Sequence, residues 1–449
     1  MKEKLKISQN LLIGSLLFGL FFGAGNLIFP VKMGQDAGAN SFVAGIGFII
    51  TGVGLPIVGI IASALSRSDS LLNMTEPVGK KYSLAFTAIL YLTIGPLFAI
   101  PRTATVAFEV GIRPFVSDFN ANKLLIIFSV VFFLLTLYYS LKPGKILDWI
   151  GKFLTPTFLV LLSILLLMTF IKPMGNAADF TPVKNYIGSA FFTGLLDGYN
   201  TMDALASLAF AIIIISNIRN LGINDPSSIA IETSKSGLVS VVGMTVIYGS
   251  LTFMGATSLG AVERADNGGL ILSYVSSHYF GYAGQMLLAA IVIIACLKTA
   301  IGLITACSEM FVEITHNKIS YKIFAVLFVL FSFIMANFGL NNIISLSVPV
   351  LMFLYPLAIT LIVLSLLYAL IKKNGIIYKS TMIFTFFAAI FDFFKALPEN
   401  IKDISFIKNM IEFAKNYLPG FNYGFGWIVP AVIGFFIGVI INRIINKRN

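Results

Sequence analysis

The chain has 449 residues, 57% of them hydrophobic and only 11% charged. Soluble domains carry about 25% charged residues, so this composition excludes a soluble fold and makes a bilayer the solvent. The formal net charge of +11 comes from Lys and Arg scattered between apolar runs, which marks loops on one side of a membrane and argues against a nucleic-acid surface.

Apolar runs of about the 20 residues that a spanning helix needs lie near 9–29, 41–65, 83–109, 124–141, 149–171, 186–216, 235–259, 283–309, 321–337, 343–371, 380–397 and 425–443. The segment from Phe393 to Tyr423 reads as an amphipathic or loop piece before the last run. The expected architecture is an all-α integral membrane protein of about twelve spans, multi-pass in the cell (plasma) membrane, with the lipid bilayer as its surroundings and no nucleic-acid partner. The first run lacks a small-residue cleavage site, so it is expected to be a retained span and not a signal peptide. Lys and Arg favour the side of the N-terminus by about two to one, which places both termini in the cytoplasm. Nothing in the pattern fixes an oligomeric state.

The first run is interrupted. Leu11 to Phe22 would make a spanning helix and Leu27-Ile28-Phe29 would continue it, but Gly23-Ala24-Gly25-Asn26 lies between them and Pro30 follows. Loosened backbone at membrane depth survives only where protein or a cavity satisfies it, and such breaks build midplane sites in transporters. Two plainer readings remain open: glycines that let helices approach, and Asn26 as an interhelical hydrogen-bond partner. In the third run Pro96 and Pro101 are expected to bend the helix. Arg102 and Glu109, seven apart on one face, read as an interfacial pair or a gate. The sixth run carries Asp197-Gly198-Tyr199-Asn200-Thr201-Met202-Asp203, and carboxylates in mid-span are costly enough to suggest function. Asp203 suits either a cap on a second half-helix or a direct site role. Asp197 is expected near the site, and Tyr199 reads equally as a packed aromatic or a pocket wall. Five spans separate the start of one broken helix from the next, so the second unit enters from the opposite side. This points to two inverted halves, residues 1–180 and 181–375, with 376–449 as accessory spans. In the eighth run Cys296 and Cys307 lie roughly 16 Å apart on one helix, too far to bridge.

Three motifs carry a resemblance. Phe22-Gly23-Ala24-Gly25-Asn26-Leu27-Ile28-Phe29-Pro30, Gly95-Pro96-Leu97-Phe98-Ala99-Ile100-Pro101-Arg102-Thr103-Ala104-Thr105 and Asp197 to Asp203 resemble the first-, third- and sixth-span motifs of the branched-chain amino acid:cation symporters (the BrnQ-type, or LIVCS, family). The likeness covers nearly the whole chain. It implies the leucine-transporter (LeuT) fold, a five-plus-five inverted repeat with helices one and six unwound around substrate. It also implies secondary active uptake of Leu, Ile and Val by alternating access, driven by Na+ or H+.

Residue chemistry then suggests roles within that frame. Backbone N–H groups at Gly23, Ala24, Gly25 and Asn26 suit a substrate carboxylate at a helix N-terminus. Freed carbonyls before Gly23 and around Asp197 to Tyr199 suit the ammonium, with Gly198, Tyr199, Asn200 and Thr201 as further substrate candidates. Phe98, Ile100, Ile301 and Ile304 are expected to form the apolar pocket. Phe22, Asn26, Asp197, Lys298 and Thr299 are the candidates for cation coupling. Where this fold keeps two Na+-ligating hydroxyls in its eighth helix, Thr299 matches one and Lys298 takes the place of the other. The expectation is therefore no cofactor other than a candidate Na+ near Asn26 and Thr299. The Lys298 ammonium could instead occupy that cation position itself, bind and release a proton, or merely face a vestibule.

Other classes lack their residues. His278 and His316 fall at loops or span ends, and no zinc-helix or Cys/His spacing exists for an enzyme. Gly79-Lys80 and Gly144-Lys145 lack the remainder of a phosphate-cradling loop, and no run suggests a pore loop. The nearer rivals are a carrier of another amino acid or nucleobase-like solute on the same fold, and a cation-independent exchanger.

Overall fold

The computed structural model describes residues 4–68, 70–116 and 121–448. The first span is split into α1 (Ile7–Phe21) and α2 (Ala24–Ala37), and the second runs through α3 (Ser41–Ile49) and α4 (Leu55–Leu65) with a π-turn between them. A short α5 (Leu71–Thr75) leads to the third span, α6 (Lys80–Leu92) and α7 (Ala99–Gly111). Spans four and five are α8 (Ala121–Ser140) and α9 (Thr155–Ile171). The sixth is again split, into α10 (Tyr186–Tyr199) and α11 (Asp203–Asn220). Then follow α12 (Pro226–Ser258), α13 (Gly268–Ile314), α14 (Tyr321–Ala336) and α15 (Leu340–Leu366). After the one-turn α16 (Tyr368–Ile371) come α17 (Gly375–Ala396), the short α18 (Glu399–Lys402), α19 (Ser405–Tyr417) and α20 (Ile428–Arg448). All twelve expected runs fall on these helices. Among the described residues ten stretches are long and apolar enough to cross a membrane, and α1 and α14 are shorter apolar helices.

Sequence chemistry sets several of the ends. Asp225 precedes Pro226 and accepts the Ser228 amide at 2.8 Å, a side-chain cap followed by a proline whose missing N–H has no partner to lose. Asn267 caps α13 and Asn374 caps α17 in the same way. The stretch α13 is longer than the eighth run because an additional helix precedes it. The two meet at Gly281, whose φ of +57° is left-handed backbone that glycine adopts without a Cβ clash. In the third span the bend falls at Gly95-Pro96, where Gly95 leaves helical geometry. Pro101 sits in the first turn of α7, where an N–H is dispensable.

Exposed apolar side chains such as Leu134, Val160 and Leu238 face outward where lipid would lie, while the interior seams use small residues, as expected when lipid offers helices no hydrophobic reason to associate. One tight seam joins α2 to α12. A Cβ on Gly255 would stand 1.9 Å from the Val31 carbonyl oxygen, and one on Gly34 would stand 2.1 Å from the Thr252 carbonyl oxygen. Backbone cannot swing aside as a side chain can. Gly255→Ala is therefore expected to destabilise the protein by about 1–3 kcal/mol, read as a lower thermal midpoint of purified protein than that of Gly249→Ala, where a Cβ meets open space. At the far end α1 is fastened to α12 by buried Glu232, which accepts from the Leu5 amide at 3.2 Å, Asn10 Nδ2 at 3.1 Å and Lys235 Nζ at 2.7 Å.

Candidate functional site

The two helix breaks meet at the centre of the bundle. In the first, only Phe22 and Gly23 leave helical geometry, and Ala24, Gly25 and Asn26 form the opening turn of α2. Their N–H groups precede any intrahelical partner and carry the positive end of the helix dipole. The Gly23 amide donates to Asn26 Oδ1 at 2.9 Å, which folds the asparagine back over the break. In the second break Asn200, Thr201 and Met202 separate α10 from α11. Met202 has φ +66°. A left-handed non-glycine residue of this kind costs about 1–3 kcal/mol and persists only where its surroundings hold it.

A constricted cavity of about 360 Å³ lies between the breaks, with room at its centre for little more than a water molecule. Its polar wall is the opening turn of α2 together with Arg102, Thr103, Thr201, Asp203 and Thr299. Its apolar wall comes from Phe21, Ile94, Ala99, Phe210 and Leu303. Asn26 Nδ2 donates to Asp203 Oδ2 at 2.5 Å and contacts the Tyr248 hydroxyl, which itself donates to Asp203 Oδ2 at 3.2 Å. This buried triad joins the first span, the sixth and the seventh. Arg102, 4% exposed, donates from Nη1 to the Asn200 carbonyl at 2.9 Å and from Nη2 to the Thr201 carbonyl at 3.4 Å. It thus fills the carbonyl end of α10.

A second buried cation fills the carbonyl end of α1. Lys298, completely buried on α13, donates from Nζ to the Phe22 carbonyl at 2.6 Å and the Gly19 carbonyl at 3.2 Å. Its Nζ also lies 4.6 Å from the centre of the Phe158 ring, with the Phe18 and Phe22 rings at 5.4 and 5.6 Å. Aromatic faces stabilise a desolvated ammonium by about 2 kcal/mol. The neighbouring Thr299 hydroxyl donates to the Leu20 carbonyl at 3.4 Å. Lys298 therefore does not face a vestibule or snorkel.

The expected site residues divide by position. Gly23, Ala24, Gly25, Asn26, Thr201 and Thr299 line the cavity. Phe22 and Asn200 do not line it; their carbonyls are held by Lys298 and Arg102. Phe98, Ile100, Ile301 and Ile304 are buried but do not line the cavity: the break at Gly95 turns the start of α7 to present Ala99, and α13 presents Thr299 and Leu303. Gly198 is a contact glycine: a Cβ there would stand 2.0 Å from the Thr51 hydroxyl. Tyr199 stacks on Tyr355 with ring centres 4.0 Å apart. Asp197 accepts the Tyr186 hydroxyl on α10's own flank, so it stands off the cavity and not near it as its mid-span position suggests. Arg102 and Glu109 do not pair. Seven residues separate their backbones by about 10 Å along the helix, and Arg102 turns to the second break while Glu109 is exposed. Tyr248 and Leu303 have no signal in the sequence, since each looks like any other residue of an apolar run.

Two broken helices facing each other across a central cavity are an arrangement found in transporter folds, and comparison with solved structures agrees on the fold. The chain is similar in fold to Mhp1, a nucleobase-cation-symport-1 family transporter, at TM-score 0.62 and 12% identity over 98% of this chain and 93% of that one. It is likewise similar to MhsT, solved with L-phenylalanine, at TM-score 0.58 and 15% identity over 97% and 99%. The fold is the LeuT type, a five-plus-five inverted repeat with helices one and six unwound.

Residues 6–445 match the model for branched-chain amino acid transport proteins, and the chain belongs to that family. The branched-chain amino acid permease BrnQ of Lactobacillus delbrueckii subsp. lactis is 47% identical over 449 residues, all of both chains. BrnQ of Bacillus subtilis (strain 168) is 41% identical over 98% of each chain. The branched-chain amino acid transport system 2 carrier protein of Pseudomonas aeruginosa is 39% identical over 97% of each. The protein is a multi-pass membrane transporter and not an enzyme.

Proposed function

We propose that this protein carries leucine, isoleucine and valine across the cell membrane by alternating access, coupled to a cation gradient. Both termini lie in the cytoplasm in this reading, and residues 1–180 and 181–375 rock as inverted halves beside accessory spans in 376–449. The observation that carries it is the cavity between the breaks, which sets a positive helix end, a guanidinium and a carboxylate beside an apolar wall. A zwitterion with an aliphatic side chain matches that wall. Its side chain would gain about 25 cal/mol for each Å² buried, and an apolar pocket separates one methylene by only about 1–3 kcal/mol. The three substrates are therefore expected to compete. A flat nucleobase-like solute would leave Arg102 and Asp203 without an opposite charge each.

Coupling is proposed to run through the α1–α13 contact. Lys298 holds the Gly19 and Phe22 carbonyls with its own ammonium, and a free Na+ at that position would compete with it for the same oxygens. Purified protein in liposomes preloaded with leucine is expected to accumulate labelled leucine by saturable counterflow, inhibited by isoleucine and valine and not by uracil. Counterflow driven equally well by a nucleobase, or none with any branched amino acid, would overturn the assignment.

A further inference from the structure

The proposed site differs from a headgroup site built only from helix ends. Where a sixth helix is broken, its free carbonyls are natural acceptors for a substrate ammonium. Here the carbonyls of Asn200 and Thr201 are already taken by Arg102, and those of Gly19 and Phe22 by Lys298. Both negative helix ends are thus neutralised by side chains of the protein itself. Among the residues lining the cavity, Arg102 and Asp203 are the one basic and the one acidic side chain.

Resting on the transport reading, we infer that Asp203 and Arg102 read the two ends of the substrate headgroup: the Asp203 carboxylate receives the α-ammonium, and the Arg102 guanidinium with the opening turn of α2 receives the α-carboxylate. Three observations carry this. First, a carboxylate offers about four acceptor positions, and at Asp203 the Asn26 amide and the Tyr248 hydroxyl occupy sites on Oδ2. Second, those two donors are neutral groups, and they orient the Asp203 carboxyl in the cavity wall. Third, Arg102 Nη2 stands 3.0 Å from where a Cβ on Gly25 would lie, so the guanidinium borders the opening turn of α2. A carboxylate there meets a guanidinium and a helix N-terminus together. Gly25 keeps this approach open because any side chain would press on Nη2.

The site should then demand both charges, and each variant should forget one of them. The test is equilibrium binding to full-length protein in nanodiscs with three probes: L-leucine, 3-methylbutylamine (ammonium without carboxylate) and 4-methyl-2-oxopentanoate (carboxylate without ammonium). Charge-assisted contacts of this kind are expected to change affinity about 10- to 100-fold. Asp203→Asn should weaken leucine by that factor while leaving the oxo acid unchanged or tighter. Arg102→Gln should weaken leucine and the oxo acid while leaving the amine unchanged or tighter. Asp203→Glu, which keeps the charge, should retain preference for leucine over the oxo acid and serves if Asp203→Asn does not fold. Asp203→Asn binding leucine as well as the wild type does, Asp203→Glu losing its preference, or a variant weakening all three probes alike, overturns this inference alone. Wild-type protein that binds no branched amino acid overturns the transport reading and this one with it.

Discussion

Replacing Lys298 with methionine is expected to reduce leucine uptake at least about 30-fold, because it leaves the Gly19 and Phe22 carbonyls as buried acceptors without a donor, at about 1–3 kcal/mol each. Methionine fills a similar volume, so the loss reports the ammonium and not a cavity. The more telling variant is Lys298→Thr. Two carbonyls that now accept from Nζ at 2.6 and 3.2 Å would sit beside two hydroxyls. One is introduced by the substitution, and the other belongs to Thr299, already bonded to the Leu20 carbonyl. That oxygen-only set suits a hard monovalent cation. The variant is therefore expected to recover uptake as Na+ is raised at constant pH, while the wild type, whose tethered ammonium already occupies the position, responds weakly. Uptake in proteoliposomes as a function of external Na+ measures this. Strong Na+ dependence of the wild type at fixed pH would show that the cation binds elsewhere and that Lys298 does not replace it.

What is legible in the sequence follows from what each signal depends on. The bilayer forces backbone hydrogen bonds to close within each helix, so every span announces itself as a long apolar run. For the same reason a Gly-Asn or Asp-Gly interruption stands out at once. Both breaks, and the anomaly of a lysine in the eighth span, are readable for that reason. The cavity's apolar wall is not. Phe98 and Ile100 carry the right chemistry, but which face of the third span looks inward depends on how far the chain turns at Gly95, a dihedral with no sequence period. The partners of Arg102 are hidden by a related cause: spacing to Glu109 gives a shared face, whereas a long guanidinium picks its partners from another helix. Gly198 shows the converse, a glycine of a functional-looking motif whose place is fixed by the Thr51 hydroxyl packed against it. Asp203 is visible as a mid-span carboxylate, but its partners Asn26 and Tyr248 lie 177 and 45 residues away and no local pattern joins them.

Gly23→Ala is expected to lower leucine uptake at least about 10-fold, and Thr299→Ala is expected to restore part of it. The glycine's backbone, at φ −122° and ψ −153°, is extended and open to any residue, so the reason for glycine here is space. A Cβ would stand 2.7 Å from Thr299 Oγ1 and 3.0 Å from both its Cβ and Cγ2. Threonine is β-branched and stiff at χ1, and its hydroxyl is bonded to the Leu20 carbonyl, so it cannot turn aside. The break and α13 would have to separate by several tenths of an ångström. That shift acts next to the bonds from Lys298 to Gly19 and Phe22, and it moves the opening turn of α2 along with the break. Removing Oγ1 and Cγ2 from residue 299 leaves only the 3.0 Å contact to Cβ, which small adjustments absorb. The double variant should thus be better than Gly23→Ala alone, a coupling of opposite sign to simple addition of two losses. Uptake and leucine affinity measured for the wild type, both single variants and the double variant decide it. Purely additive losses would mean that the contact between the first break and α13 is not what sets the geometry of the site.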